Sequence, residues 1–171
     1  MTRFAFAAAL VIGAVALPMS VSAQSYQPER VVKSVETADL EAIVLSLGHT
    51  VEKKGLYGED GDRSLRAADQ NGVKYLLIGT ACDVGEISGC QGIMMQVRYD
   101  LPEGVTYETV AKANYEQAAL NTWVDFEGEG TLGFTRYVVL DYGVTMANIR
   151  ENVNVLLDVY PLAMESATGS E

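Results

Sequence analysis

Apolar residues along the chain switch between a helical and a strand period, and the switches divide it into elements. Leu40, Ile43, Val44 and Leu47 fall at the i, i+3, i+4, i+7 spacing of one helix face, so residues 37–48 predict a short helix. Thr37 is placed to cap its amides, Asp39 and Glu41 suit its positive end, and Gly48 suits its stop. Two turn dipeptides follow, Asp60-Gly61 and Asn71-Gly72, both able to take the positive φ of tight hairpins. They separate expected strands at residues 50–57, 63–68 and 73–80, and residues 93–99 read as a further strand.

From Thr106 the period lengthens again. Tyr107, Val110, Ala111, Asn114 and Ala118 predict one face of a helix reaching about Leu120. Asn114 is a polar amide on that stripe, expected to serve structurally by bonding backbone at a strand end, because a buried amide without partners is costly. Thr122 to Glu127 alternates, Gly128-Glu129-Gly130 turns the chain, and residues 134–140 return as a strand. Thr145 is placed to cap a last helix with apolar positions Met146, Ile149, Val153, Leu156, Leu157, Tyr160 and Met164. Val155, Val159 and Leu162 widen its stripe beyond what one sheet face needs, which makes them either a candidate homodimer face or a cover for the sheet edge within one monomer. The order α-β-β-β-β-α-β-β-α, with hairpins between strands, predicts an α+β fold with a mainly antiparallel sheet packed by helices.

The opening residues carry a different message. Arg3 precedes a 14-residue apolar run, Phe4 to Leu17, and Val21-Ser22-Ala23 supplies the small residues that a signal peptidase reads. The run is shorter than the roughly 20 residues of a membrane span, so residues 1–23 read as a cleaved signal peptide. Residues 24–33 then form a polar, flexible leader, 34–165 a single domain, and 166–171 a polar tail. Removal of the signal leaves 11 cationic side chains against 23 acidic ones, a net charge of −12. Such a surface disfavours nucleic acid and anionic lipid, and a partner selected by charge would be cationic. No later segment is long and apolar enough to span a bilayer as a helix.

Export decides how Cys82 and Cys90 are read. An oxidising compartment lets two cysteines pair and stay paired. A structural zinc asks for four ligands, and this chain offers two Cys and one His, His49. A redox dithiol uses Cys-x-x-Cys at a helix start, whereas seven residues intervene here, Gly85 and Gly89 among them. The expectation is a disulfide across an irregular loop between two neighbouring strands, with both cysteines just outside them. The loop it braces, with Asp83, Glu86 and Ile87, is a candidate partner-binding element.

A search for catalytic chemistry returns structural explanations. His49 lies at a helix end with no nucleophile nearby in sequence, and its place suits the helix dipole. Glu59-Asp60-Gly61-Asp62 lacks the remaining ligands of a calcium loop, and Glu127 and Glu129 sit in a glycine turn where acids are ordinarily solvated. Gly79 and Gly85 lack the strand–turn–helix setting of a phosphate loop. No catalytic residue, metal site or cofactor is expected.

Cys82, the run Cys90-Gln91-Gly92-Ile93, Asn114, and Arg136-Tyr137-Val138-Val139-Leu140-Asp141 leading through Gly143-Val144-Thr145 to Asn148-Ile149 together resemble the bacterial YbjN-domain family, also called sensory transduction regulators. The resemblance covers residues 34–165. Many members have a tryptophan and a second asparagine soon after the helix Asn, whereas Tyr115-Glu116-Gln117 follow here. The resemblance implies a fold similar to type III secretion chaperones, often dimeric, no enzymatic activity, and a role in regulation or stress response. The expected function is therefore a non-catalytic exported binding or regulatory module in the periplasm or medium, acting on a protein partner or on itself. The alternative is an acidic inhibitor of a cationic enzyme such as a lysozyme, using the disulfide-braced loop and opposite charge to speed encounter.

Overall fold

The computed structural model describes residues 25–59 and 61–169. The expected signal peptide, Asp60 and the last two residues lie outside them. In chain order the elements are β1 (Val31–Val32), α1 (Thr37–Ser46), β2 (Thr50–Tyr57), β3 (Asp62–Ala68), β4 (Lys74–Cys82) and β5 (Cys90–Asp100). Then come α2 (Tyr107–Glu116), β6 (Asn121–Asp125), β7 (Thr131–Val139), β8 (Val144–Thr145) and α3 (Met146–Thr168). Six strands form one antiparallel sheet in the order β2-β3-β4-β5-β7-β6, and β1 pairs with β8. The fold is α+β with the expected order of its principal elements, to which the two-residue strands β1 and β8 are added.

The period-2 pattern of the strands sorts their side chains onto two faces. Leu65 and Ala67 of β3, Tyr75 and Leu77 of β4, Ile93, Met95 and Val97 of β5, and Leu132, Phe134 and Val138 of β7 all enter one core. The same core holds Leu40, Ile43 and Val44 of α1, Val110 and Ala113 of α2, and Ile149, Val153 and Leu156 of α3. All three helices thus lie on one side of the sheet. Its other side is open.

Several boundaries differ from expectation for identifiable reasons. Residues 25–33 are part of the fold rather than a free leader: Val32 is buried, and Arg30 donates to the buried carboxylate of Asp39. Met146 and Ala147, at the start of α3, donate their amides to the carbonyls of Arg30 and Pro28. Glu36, not Thr37, occupies the capping position of α1, and its amide donates to Asp39 at 3.0 Å. Helix α2 stops at Glu116, short of Leu120, because the chain must reverse for β6. Asn114 fixes that reversal, donating to the carbonyl of Thr122 (2.8 Å) and accepting from its amide (2.7 Å). The buried face of α2 is consequently Val110 and Ala113, while Tyr107, Ala111 and Ala118 are exposed. The tail assigned from residue 166 is instead the last turn of α3, with Ala167 fully buried. This helix carries Pro161 in its interior, where the missing amide costs one intrahelical bond. The cysteines are not outside the strands but are their terminal residues, directly opposed as Cys82 and Cys90.

Candidate functional site

The cysteines are joined by a disulfide across β4 and β5. The loop beyond it is drawn tight by its own backbone. The Asp83 amide donates to the Gly89 carbonyl, and the Gly89 amide donates to the Asp83 carboxylate, both at 2.9 Å. Arg63 from β3 completes the brace, at 3.0 Å from Asp83 and 3.0 Å from Glu36 at the start of α1. The hydrogen bond from Arg63 first, and that from Gly89 second, hold the Asp83 carboxyl below its ordinary range. Of the three loop residues singled out from sequence, Asp83 is therefore engaged within the molecule, whereas Glu86 and Ile87 are exposed. The three α3 residues also separate. Val159 packs against the core, Val155 is half-buried, and Leu162 is exposed.

His49 follows α1 and meets β4. Its Nδ1 lies 2.9 Å from the hydroxyl of Tyr75, with the two rings edge to face. Burial lowers the imidazole pKa, with Asp69 opposing, and burial raises that of the Tyr75 phenol. Phenol and ring nitrogen share one hydrogen bond, whose donor depends on the imidazole tautomer. Burial thus disfavours the cation that a helix dipole would favour. Among the described residues, no group of three His, Cys, Asp or Glu side chains could hold a metal ion.

The most organised polar surface is the open side of the sheet. A row of directly opposed residues crosses all six strands: Lys53, Arg66, Leu76, Gln96, Thr135 and Asn121. The adjoining row places Arg98, Gly133 and Trp123 side by side on β5, β7 and β6. Position 133 has no side chain, so the indole of Trp123 lies flat across it; a Cβ there would come within 2.1 Å of the ring. The indole then reaches Arg98, whose guanidinium carbon is 5.5 Å from its centroid on one side and 5.2 Å from that of Tyr57 on the other. These are cation–π distances.

Hydrogen bonds lock the arrangement. The Trp123 indole N–H donates to Thr135 Oγ1 at 2.9 Å, and Gln96 Nε2 donates to the same oxygen at 3.0 Å. Arg98 Nε donates to Gln96 Oε1 at 2.9 Å, and Nη2 donates to Gln96 and to the Tyr57 hydroxyl. A second ring repeats the device. Tyr137 lies over Gly92, where a Cβ would be 2.3 Å from its oxygen, and it exchanges a hydrogen bond with Thr80 at 2.7 Å.

Two adjoining hollows open on this face. One, of about 200 Å³, is lined by Arg66, Lys74, Leu76, Gln96 and Arg98 among others; its neighbour, of about 170 Å³, shares Arg66 and Leu76 and adds Lys53 and Tyr57. Arg66 and Lys74 both bond to Glu52, at 3.0 and 3.5 Å. Arg98 has no carboxylate within ion-pair distance among the described residues, and its Nη1 has no protein acceptor there. What this surface offers is aromatic contact and directed N–H groups, which suit recognition. Sequence reasoning did not single it out. The available signal was the outward half of the strand alternation, where Gln96, Arg98, Trp123, Thr135 and Tyr137 stand in place of ordinary solvating Lys and Glu.

No protein-family model matches the chain, and no curated protein matches it in sequence. In three dimensions it is similar to the crystal structure of an uncharacterized protein from Methanothermobacter thermautotrophicus, with a TM-score of 0.50 and 8% identity over 73% of this chain and 91% of that one. What the two chains share is the fold.

Proposed function

We propose that this protein is a non-catalytic exported binding module of regulatory type, and that its working surface is the open side of the sheet. One observation carries the reading. A tryptophan, a tyrosine and an arginine are stacked and hydrogen-bonded in a fixed arrangement on the side of the sheet that no helix covers. Trp, Tyr and Arg are the residues that dominate binding energy at protein interfaces, and side chains already ordered lose little entropy on binding. The disulfide supports the exported address, since such bonds persist outside the reducing cytosol. The sequence resemblance to YbjN domains supports a regulatory rather than a chemical role. The inhibitor alternative has weaker support, because Asp83 is committed to Arg63 and Gly89.

A photo-crosslinking residue placed at Val139, exposed on the open side, or at Leu162, exposed on α3, tests the proposal in intact cells. The expected result is a discrete adduct with another protein from position 139 that disappears when Trp123 is replaced by alanine. Adducts from position 162 alone, at twice the mass of the chain, would move the working surface to an α3 homodimer and end the proposal.

A further inference from the structure

We infer that the open side of the sheet receives an extended, acidic segment of a protein partner, with one carboxylate side chain seated against Arg98. The inference rests on the binding-module reading and adds the chemistry of the ligand. Charge is the first argument. In a chain with 23 acidic and 12 basic side chains, Lys53, Arg66, Lys74 and Arg98 gather around the two hollows, with Glu52 as the acid bonded within the group. The hollows are thus locally cationic on an anionic molecule. A second copy docked by the same face would bring one cationic patch against another, which disfavours symmetric self-pairing there.

Arg98 supplies the second argument. A half-buried guanidinium in an acid-rich protein ordinarily acquires a carboxylate, yet this one is held by a phenol, a carboxamide and two aromatic faces. These neutral partners orient the group without neutralising it, and Nη1 has no protein acceptor among the described residues. A planar guanidinium in that state is built for a carboxylate, which takes short charge-assisted bonds.

Shape selects the source. The two hollows are open to solvent and smaller than the roughly 300–1,000 Å³ of a typical small-molecule pocket, and a third of about 310 Å³ against Lys74 and Arg98 is as open, so none encloses a free ligand. Two hollows sharing Arg66 and Leu76 suit a chain instead. Side chains on the same edge of an extended segment recur about every 7 Å, so two of them can enter neighbouring depressions.

Trp123 is the single tryptophan of the chain and lines this face, so its fluorescence reports occupancy directly. The probes are a Glu-Ser repeat hexapeptide with blocked ends, its Gln-Ser counterpart, and free glutarate. The acidic peptide is expected to shift the emission saturably, and the Gln-Ser peptide to bind about tenfold or more weakly, the loss of one charge-assisted pair. Arg98→Gln should weaken the acidic peptide by a similar factor, with Arg98→Lys in between because it keeps charge and loses the fork. Equal binding of the neutral peptide overturns the inference, as does no saturable shift with the acidic one. Glutarate binding as tightly as the peptide overturns it in favour of a small-acid site. Should Arg98→Gln fail to fold, the peptide pair still decides, since it leaves the protein unchanged. A crosslinked partner from Val139 that persists in a folded Arg98→Gln variant would leave the binding module standing and remove its acidic ligand.

Discussion

The absence of one methyl group at position 133 determines where the indole of Trp123 lies. Gly133 is opposed by Trp123 on one side and Arg98 on the other, so a bare backbone there is what lets ring and guanidinium meet. Gly133→Ala should push the indole off the sheet, because the obstacle is a ring fixed by its bond to Thr135 rather than a pliant tip. We expect destabilisation of about 1–3 kcal/mol, typical of overpacking, and a red-shifted, more quenchable Trp123 emission. Unchanged emission and melting temperature would show that the ring does not rest there. Glycine in a strand reads from sequence as a weakness or a bulge. Its partnership with a ring on the next strand depends on register, which periodicity does not contain. Asn114 was more legible, because an amide on a helical stripe has to bond something, and backbone is the commonest acceptor.

At the scale of elements, the disulfide connects more than two strand ends. Cys82 and Cys90 close the turn between β4 and β5, and Arg63 ties that turn to β3 and to the start of α1. Replacing both cysteines by alanine should lower unfolding free energy by about 2–3 kcal/mol, the entropy of so short a closed loop. Chemical denaturation of oxidised, reduced and double-alanine protein measures it, and identical midpoints for all three would show the bond to be idle. The pairing could be foreseen because compartment, count and spacing left one chemistry open. The Arg63 brace could not, since Glu36, Arg63 and Asp83 converge only after three elements have packed. Helix ends depend on packing for the same reason. Apolar spacing carried the pattern of α2 past Glu116, whereas the need to begin β6 stopped it. The run of apolar residues in α3 told that it was buried but not that Val159 faces the core while Leu162 does not.

Over the whole molecule, stability should depend on pH through the only imidazole. The folded state depresses the His49 pKa below its ordinary 6.5, so the unfolded chain binds the proton more readily. The associated stability is complete above pH 6.5 and declines as pH falls through 6.5 toward the lower folded value. Melting temperature should fall over that interval, and His49→Gln should flatten the fall. NMR titration of the single imidazole gives the midpoint, and a value at or above 6.5 would contradict the environment described for it. At this scale the α+β architecture was readable because alternation and helical spacing are local. The polar row on the open side was not, because Lys53, Arg66, Leu76, Gln96, Thr135 and Asn121 align only when six strands stand in register.

The contact between the amino-terminal segment and α3 limits where proteolysis can fall. The carbonyls of Pro28 and Arg30 satisfy the opening amides of a helix that begins more than a hundred residues later. A protease that trimmed the chain to residue 25 would spare that join. A nick only half a dozen residues further along would strip the last helix of two backbone acceptors and leave Asp39 without its guanidinium. Amino-terminal trimming is therefore tolerated only within a few residues, and a chain cut past Arg30 should be digested far faster by added protease than one cut at residue 25.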